Sequence, residues 1–154
     1  MIANVTIERE TPDQPGVLRL LAAGDALSAS LYPPESNHML DVQALLDPVV
    51  TFFVARADGQ VVGCCALVRK DGYGEIKRMF VDEAARGRGI ARRLLAVVED
   101  AGRAAGLPVL RLETGIRQPE AQQLYRSSGF RDVPPFGDYA ADPYSIFMEK
   151  PLHG

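Results

Sequence analysis

The chain has 154 residues, is 47% hydrophobic, and carries a formal net charge of −3, with 17 basic side chains against 20 acidic ones. That length and apolar content suit one domain spanning residues 1–154 with a substantial core. The acidic balance argues against a nucleic-acid partner, which needs a broad basic face, and no 18-residue apolar run predicts a membrane span. The start, MIANVTIERE, lacks the basic and apolar regions of a signal peptide. The two cysteines, Cys64 and Cys65, are neighbours, which argues against an ordinary disulfide between them. The expected setting is reducing and cytoplasmic.

In chain order, residues 3–9 alternate as a strand. Thr11-Pro12-Asp13 reads as a helix start, with Val17, Leu18, Leu20, Leu21 and Leu27 at helical spacing. Pro33 and Pro34 stop that helix. A short helix over 41–46 ends at Asp47-Pro48. Val49–Ala57 and Gln60–Arg69 are β-rich runs joined by Asp58-Gly59, a strong hairpin signal, and a second turn at Lys70-Asp71-Gly72 leads to a strand over 74–81. A helix over 89–105 buries Ile90, Leu94, Val97, Val98 and Ala101 and stops at Gly106. Then follow a strand over 107–114, a helix over 119–127 closing on Gly129, and strands over 130–133 and 145–150 around a long loop, 134–144. Strand–helix–strand over 74–114 is a crossover unit, so those two strands run parallel. The sum is a mixed α/β sheet.

The most informative stretch lies where the strand ending at Val81 passes through a glycine turn into the 89–105 helix. Amides at a helix start are unpaired, and the helix dipole adds positive charge there. Gly87 and Gly89 let a bulky anion approach the backbone, and Arg86, Arg88, Arg92 and Arg93 add charge around it. This is chemistry for a phosphate, above all a diphosphate. The dinucleotide fingerprint G-x-G-x-x-G fails at Arg92, and no G-K-[ST] follows to make a Walker-type loop.

The hexapeptide Arg86-Gly87-Arg88-Gly89-Ile90-Ala91 resembles the acyl-CoA pyrophosphate loop, R/Q-x-x-G-x-G/A, of the GNAT acetyltransferase superfamily. Pro119 through Leu124, Tyr125, Gly129 and Phe130 resemble its N-x-x-A-x-x-L-Y-x-x-x-G-F segment, with Gln118 where asparagine is common. The order of elements resembles that fold from end to end. Pro33-Pro34-Glu35-Ser36 with His38, Glu75 through Met79, Leu112 through Gly115, and Tyr139 through Ser145 are similar to a compact bacterial branch whose substrates are small molecules, mostly unassigned.

The resemblance implies a mostly antiparallel twisted sheet whose fourth and fifth strands splay apart, with helices on its faces. It implies acetyl-CoA as co-substrate, no metal, and direct transfer of acetyl to an amine. The backbone of Met79, Phe80 and Val81 would pair with the pantetheine arm, the amides of Gly87 through Ala91 would hold the diphosphate, and Gln118 would add a contact. Tyr125 would be the acid for the leaving thiolate. Its packing alternative is an aromatic wedged between helix and sheet.

An alkyl ammonium with a pKa of about 10 needs a base or water relay before it attacks at neutral pH. Glu75 occupies the base position of histone-acetylating members. Glu113, a water chain, or a purely structural set of cross-strand ion pairs are the alternatives. Period-two alternation places Glu75, Lys77 and Met79 on one strand face, and Ile76, Arg78 and Phe80 on the other.

The acceptor pocket should form from segments 32–40 and 134–144, with Glu35, His38, Phe136 and Tyr139 as contacts and Tyr32, Asp138, Asp142 and Tyr144 nearby. An aromatic, mildly acidic wall favours an amine with an apolar body, whereas Lys77, Arg78 and Arg111 favour one bearing a carboxylate. An acyl-cysteine route through Cys64 or Cys65 has no adjacent histidine to support it. The leading expectation is a small-molecule N-acetyltransferase. An enzyme acting on proteins or peptides, or an acyl-CoA-binding sensor without turnover, are the alternatives. GNAT proteins often dimerise, so a homodimer is a further implication of the resemblance.

Overall fold

The computed structural model describes residues 4–153, so residue 3 of the expected first strand lies outside it. One seven-stranded sheet contains β1 (Val5–Arg9), β2 (Val50–Ala57), β3 (Gln60–Lys70), β4 (Tyr73–Val81), β5 (Val109–Gly115), β6 (Arg131–Val133) and β7 (Ser145–Pro151). Its spatial order is β1-β2-β3-β4-β5-β7-β6. Every pairing is antiparallel except β4 with β5, as the crossover through the intervening helix requires. The last strand enters the sheet beside β5, which pushes β6 to the edge.

Four helices cover the two faces: α1 (Pro15–Leu31), α2 (Val42–Leu45), α3 (Ile90–Ala104) and α4 (Pro119–Ser127). Both α1 and α4 open with proline, whose missing N–H costs nothing in a first turn. The α1 start falls after the predicted one because Thr11 accepts the Asp13 amide in a preceding turn. Asp58 and Gly59 have φ of 51° and 84°, the left-handed pair that a tight hairpin needs.

The central strand β3 buries both of its faces, so its middle is continuously apolar rather than alternating. On one side of the sheet, α3 and α4 pack Leu94, Val98 and Tyr125 against Leu67, Ile76 and Leu112. On the other, α1 and α2 pack Leu20, Leu21 and Leu45 against Phe52, Val54 and Cys64. The buried stripe of α3 is rotated from the expected one. Leu95, Glu99 and Gly102 are buried, while Val97 and Ala101 are only partly so. The cause lies on β7 and just beyond it: Lys150 pairs with Glu99, and Leu152 packs where a Gly102 side chain would stand.

Candidate active site

The β4–β5 ladder holds for only three residue pairs, Gly74 with Leu110, Glu75 with Arg111, and Ile76 with Leu112. Beyond these the strands part. From Lys77 to Val81, β4 continues along β3 with no β5 partner, while β5 keeps its pairing with β7 to Gly115. The opening is the splay expected from the resemblance, and a β-bulge accompanies it. Arg78 adopts a left-handed φ of 58°, and the β3–β4 register slips between Cys64 and Ala66.

A left-handed arginine costs on the order of 1–2 kcal/mol. Its guanidinium secures the kink by reaching Asp25 at 2.6 Å and the Leu21 carbonyl at 3.0 Å. The Cys64 thiol donates to the Arg78 carbonyl at 3.3 Å. The bulge overturns the expected alternation: Met79 and Val81 join Ile76 on the α3 face, and Phe80 packs with the α1 core. The neighbouring charges Lys77 and Arg78 were the available signal, because strict period two cannot place both on one face.

Two cavities occupy the cleft. The larger, of about 680 Å³, is lined by Met79, Phe80, Val81, Arg86, Gly87 and the first residues of α3, and also by Gln118 and Tyr125. Gly87 and Gly89 have φ of 84° and 74°, and a side-chain carbon on either would meet nothing within 4 Å. The backbone there is open to a ligand. Gly89 caps α3 with no side chain on its amides, so the helix start keeps free donors.

Arg86 anchors to the Val81 carbonyl and lies over Phe80. Arg88 is exposed, outside this lining. Arg92 borders the cavity while tying α3 to Ser127 and Ser128, and Arg93, outside the lining, holds the Val5 carbonyl. The free amides and the bordering guanidinium groups of Arg86, Arg92 and Arg117 suit a diphosphate.

The smaller cavity, about 140 Å³, is walled by His38, Lys77, Glu113, Tyr32 and Tyr144, among others. Met79, Gln118, Ala121 and Tyr125 line both cavities, so the two meet there. Tyr32 is the pivot of this junction. Its hydroxyl accepts the Arg117 amide and donates to the Gln118 side chain, and Gly115 is glycine because any side chain there would overlap that hydroxyl. Burial pushes the Tyr125 hydroxyl well above its usual range, so it remains protonated.

The expected carboxylates part company. Glu75 is buried, accepts the Tyr139 hydroxyl and lies 3.6 Å from the Lys77 ammonium, off the cavity wall. Lys77 also donates to Tyr139 and to the His38 carbonyl, fastening segment 37–40 and loop 134–144 to β4. Burial draws the Lys77 pKa down, against the pull of Glu75. Glu113 stands on the wall itself. Ser145 donates to it at 2.8 Å, and desolvation raises its pKa above the carboxylate norm.

His38 lies edge-on to Tyr139 at 5.2 Å. Phe136 and Tyr139 sit behind the wall in an aromatic cluster with Tyr73 and Phe147, and Glu35 is exposed away from both cavities. Both cysteines are buried. The Cys64 thiol is pushed up to about 12 and Cys65 well above its norm, the opposite of a reactive thiolate. Among the described residues no group of His, Cys, Asp or Glu is placed to hold a metal ion, and no helix is long and apolar enough to cross a membrane.

The family profile of the acetyltransferase (GNAT) domain matches residues 48–132, more than half of the chain. The chain belongs to the GNAT family. It is 54% identical, over 97% of its own length and 99% of the relative's, to an IAA acetyltransferase of Azospirillum brasilense. A solved structure described as an acyl-CoA N-acyltransferase of Klebsiella pneumoniae superposes with a TM-score of 0.82 at 36% identity, covering 97% of this chain and 98% of that one. At 16% identity, a PaiA N-acetyltransferase of Thermoplasma acidophilum in complex with coenzyme A shares the fold, with a TM-score of 0.74 over 96% of this chain and 99% of that one. This GNAT protein is accordingly an acetyl-CoA-dependent N-acetyltransferase.

Proposed function

We propose that the enzyme moves acetyl from acetyl-CoA directly to the primary amine of a small molecule held in the smaller cavity. The observation that carries this reading is the junction of the two cavities at Met79, Gln118 and Tyr125. A protein or peptide acceptor would need an open groove. Here Ser36 donates to Asp142 at 2.8 Å, and Lys77 holds both flanking segments, which supports a closed site.

In this reading the diphosphate rests on the amides from Gly87 to Ala91. The backbone of Met79 to Val81, which no β5 residue pairs, lies along the pantetheine arm. A donor there stabilises the oxyanion as it forms, by about 3–4 kcal/mol in other acyl-transfer sites. Glu113 takes the first proton from the acceptor ammonium and passes it to solvent. The free amine attacks the thioester carbon, and the carbon–sulfur bond breaks as the amide forms. The second proton lost by nitrogen balances the one that Tyr125 gives to the departing sulfur.

Glu113 is favoured over Glu75 as base because it faces the cavity, whereas Glu75 is bound to Tyr139 and Lys77. The raised Glu113 pKa brings a base closer to working pH. Its active form is deprotonated, so kcat/KM should rise with pH through that raised value.

The test is thiol release from acetyl-CoA over a panel of amines and short peptides, for the wild type, Glu113→Gln and Glu75→Gln. Loss of about 10²-fold and of the rising acid limb in Glu113→Gln alone is the expected result. The same signature in Glu75→Gln alone would transfer the base to that residue. Silence toward every acceptor, with acetyl-CoA still bound, would favour a sensor module.

A further inference from the structure

We infer that the acceptor is a ring-sized monoamine carrying no anionic group, an inference that rests on the small-molecule reading above. Size sets the first limit. A cavity of about 150 Å³ accommodates one benzene ring, and the acceptor cavity measures about 140 Å³. A peptide, an aminoglycoside-like base or an extended polyamine is larger than that space and would have to project out of it. Its apolar surface comes from Ile76, Met39, Met79 and the rings of Tyr32 and Tyr144, which suits an aromatic or compact aliphatic body.

Charge sets the second limit. A carboxylate-bearing acceptor needs a free cation, and the Lys77 and Arg78 cations on this cavity's wall are already engaged. Lys77 gives its ammonium to the His38 carbonyl, to Tyr139 and to Glu75. Arg78, with only 4% of its side chain exposed, is paired to Asp25. Arg111 lies outside the cavity, pairs with Glu149 and stacks on Tyr73. Arg117 is outside the lining of this cavity; it borders the larger one, with its guanidinium over the Tyr144 ring.

His38 is the remaining basic group on the wall, and its electrostatic influence falls on Glu113. Glu113 itself forms no ion pair among the described residues: His38 and Lys77 act on it only at a distance, and its hydrogen-bond partner is the neutral Ser145 hydroxyl. The cavity therefore offers one half-buried carboxylate in want of a cation, and an acceptor carboxylate would add a second negative charge beside it. An ammonium satisfies the site, whereas an amino acid does not.

The experiment compares kcat/KM for 2-phenylethylamine, phenylalaninamide, phenylalanine, spermidine and a short peptide, with acetyl-CoA binding followed by calorimetry. Phenylalaninamide keeps the bulk of phenylalanine without its charge, so the pair separates size from electrostatics. The expected order places 2-phenylethylamine at least about 100-fold above phenylalanine, corresponding to about 2.7 kcal/mol. Phenylalaninamide should fall within about tenfold of the simple amine, with spermidine well below it. Phenylalanine equal to or better than its amide, or spermidine above 2-phenylethylamine, overturns the inference while leaving small-molecule transfer intact. Transfer to the peptide alone, or to nothing while acetyl-CoA binds, overturns the small-molecule reading and this inference with it.

Discussion

The two halves of the cleft are built by different means. The co-substrate half is local: one turn and one helix start, Gly87 to Ala91, present backbone amides, and a few contiguous residues of β4 lie beside them. The acceptor half is assembled from side chains on segments far apart in the chain. His38, Lys77, Glu113, Tyr139 and Ser145 come together only because β4 parts from β5 and two loops fold over the gap. Backbone sites of the first kind tolerate change around them. Networks of the second kind depend on every partner, since a buried polar group left alone loses its hydration without replacement.

Tyr125 stands where the halves meet, and the largest effect is expected there. Tyr125→Phe should reduce kcat by roughly 10²–10³-fold and leave acetyl-CoA affinity unchanged. Steady-state kinetics beside calorimetry would show it, and an unaltered kcat would remove the hydroxyl from the reaction.

Lys77→Met probes the acceptor half alone. It leaves the Glu75 carboxylate, 4% exposed, without its cation, and removing one member of a buried pair costs about 3–5 kcal/mol. Thermal unfolding should show that loss, with part of it recovered when Glu75→Gln is added. A single variant as stable as the wild type would mean the network contributes little.

Gly89→Val addresses the co-substrate half. A β-branched residue at φ 74° is strained by about 1–2 kcal/mol, and relief of that strain should move the helix-start amides. Acetyl-CoA affinity should fall roughly tenfold, with acceptor preference among amines retained. A changed acceptor order would break the separation of the halves.

The smallest effect concerns pH. Glu113 has a folded-state pKa raised by burial, so its contribution to stability is fully present below the unfolded-state value and is lost as pH rises through the folded one. Glu113→Gln escapes that loss. The melting temperature of the variant relative to the wild type should therefore increase from acid toward neutral pH, and a flat difference would contradict the desolvation of this carboxyl.

Much of the molecule was legible from residue order. The hairpin at Asp58-Gly59, the parallel crossover and the glycine turn before Ile90 all follow from short-range rules of turn chemistry and periodicity, and the structure bears them out. The resemblance anticipated the splay of β4 from β5. Gln118 and Tyr125 both line the expected cleft. Misreadings arose where long-range packing overrode local pattern. The Arg78 bulge reversed the facing of Met79 and Phe80, the β7 contacts turned the buried stripe of α3, and Arg93 was drawn from the turn to the Val5 carbonyl.

What the sequence by itself determined is the order of elements, the resemblance that implies acetyl-CoA, and the open glycine turn that starts α3, because backbone amides at a turn need only neighbouring residues to be positioned. Only the tertiary structure decided which of Glu75 and Glu113 faces the smaller cavity. Both are acidic residues on adjacent strands. What distinguishes them is that Lys77 and Tyr139 close around one, and the opening between strands exposes the other.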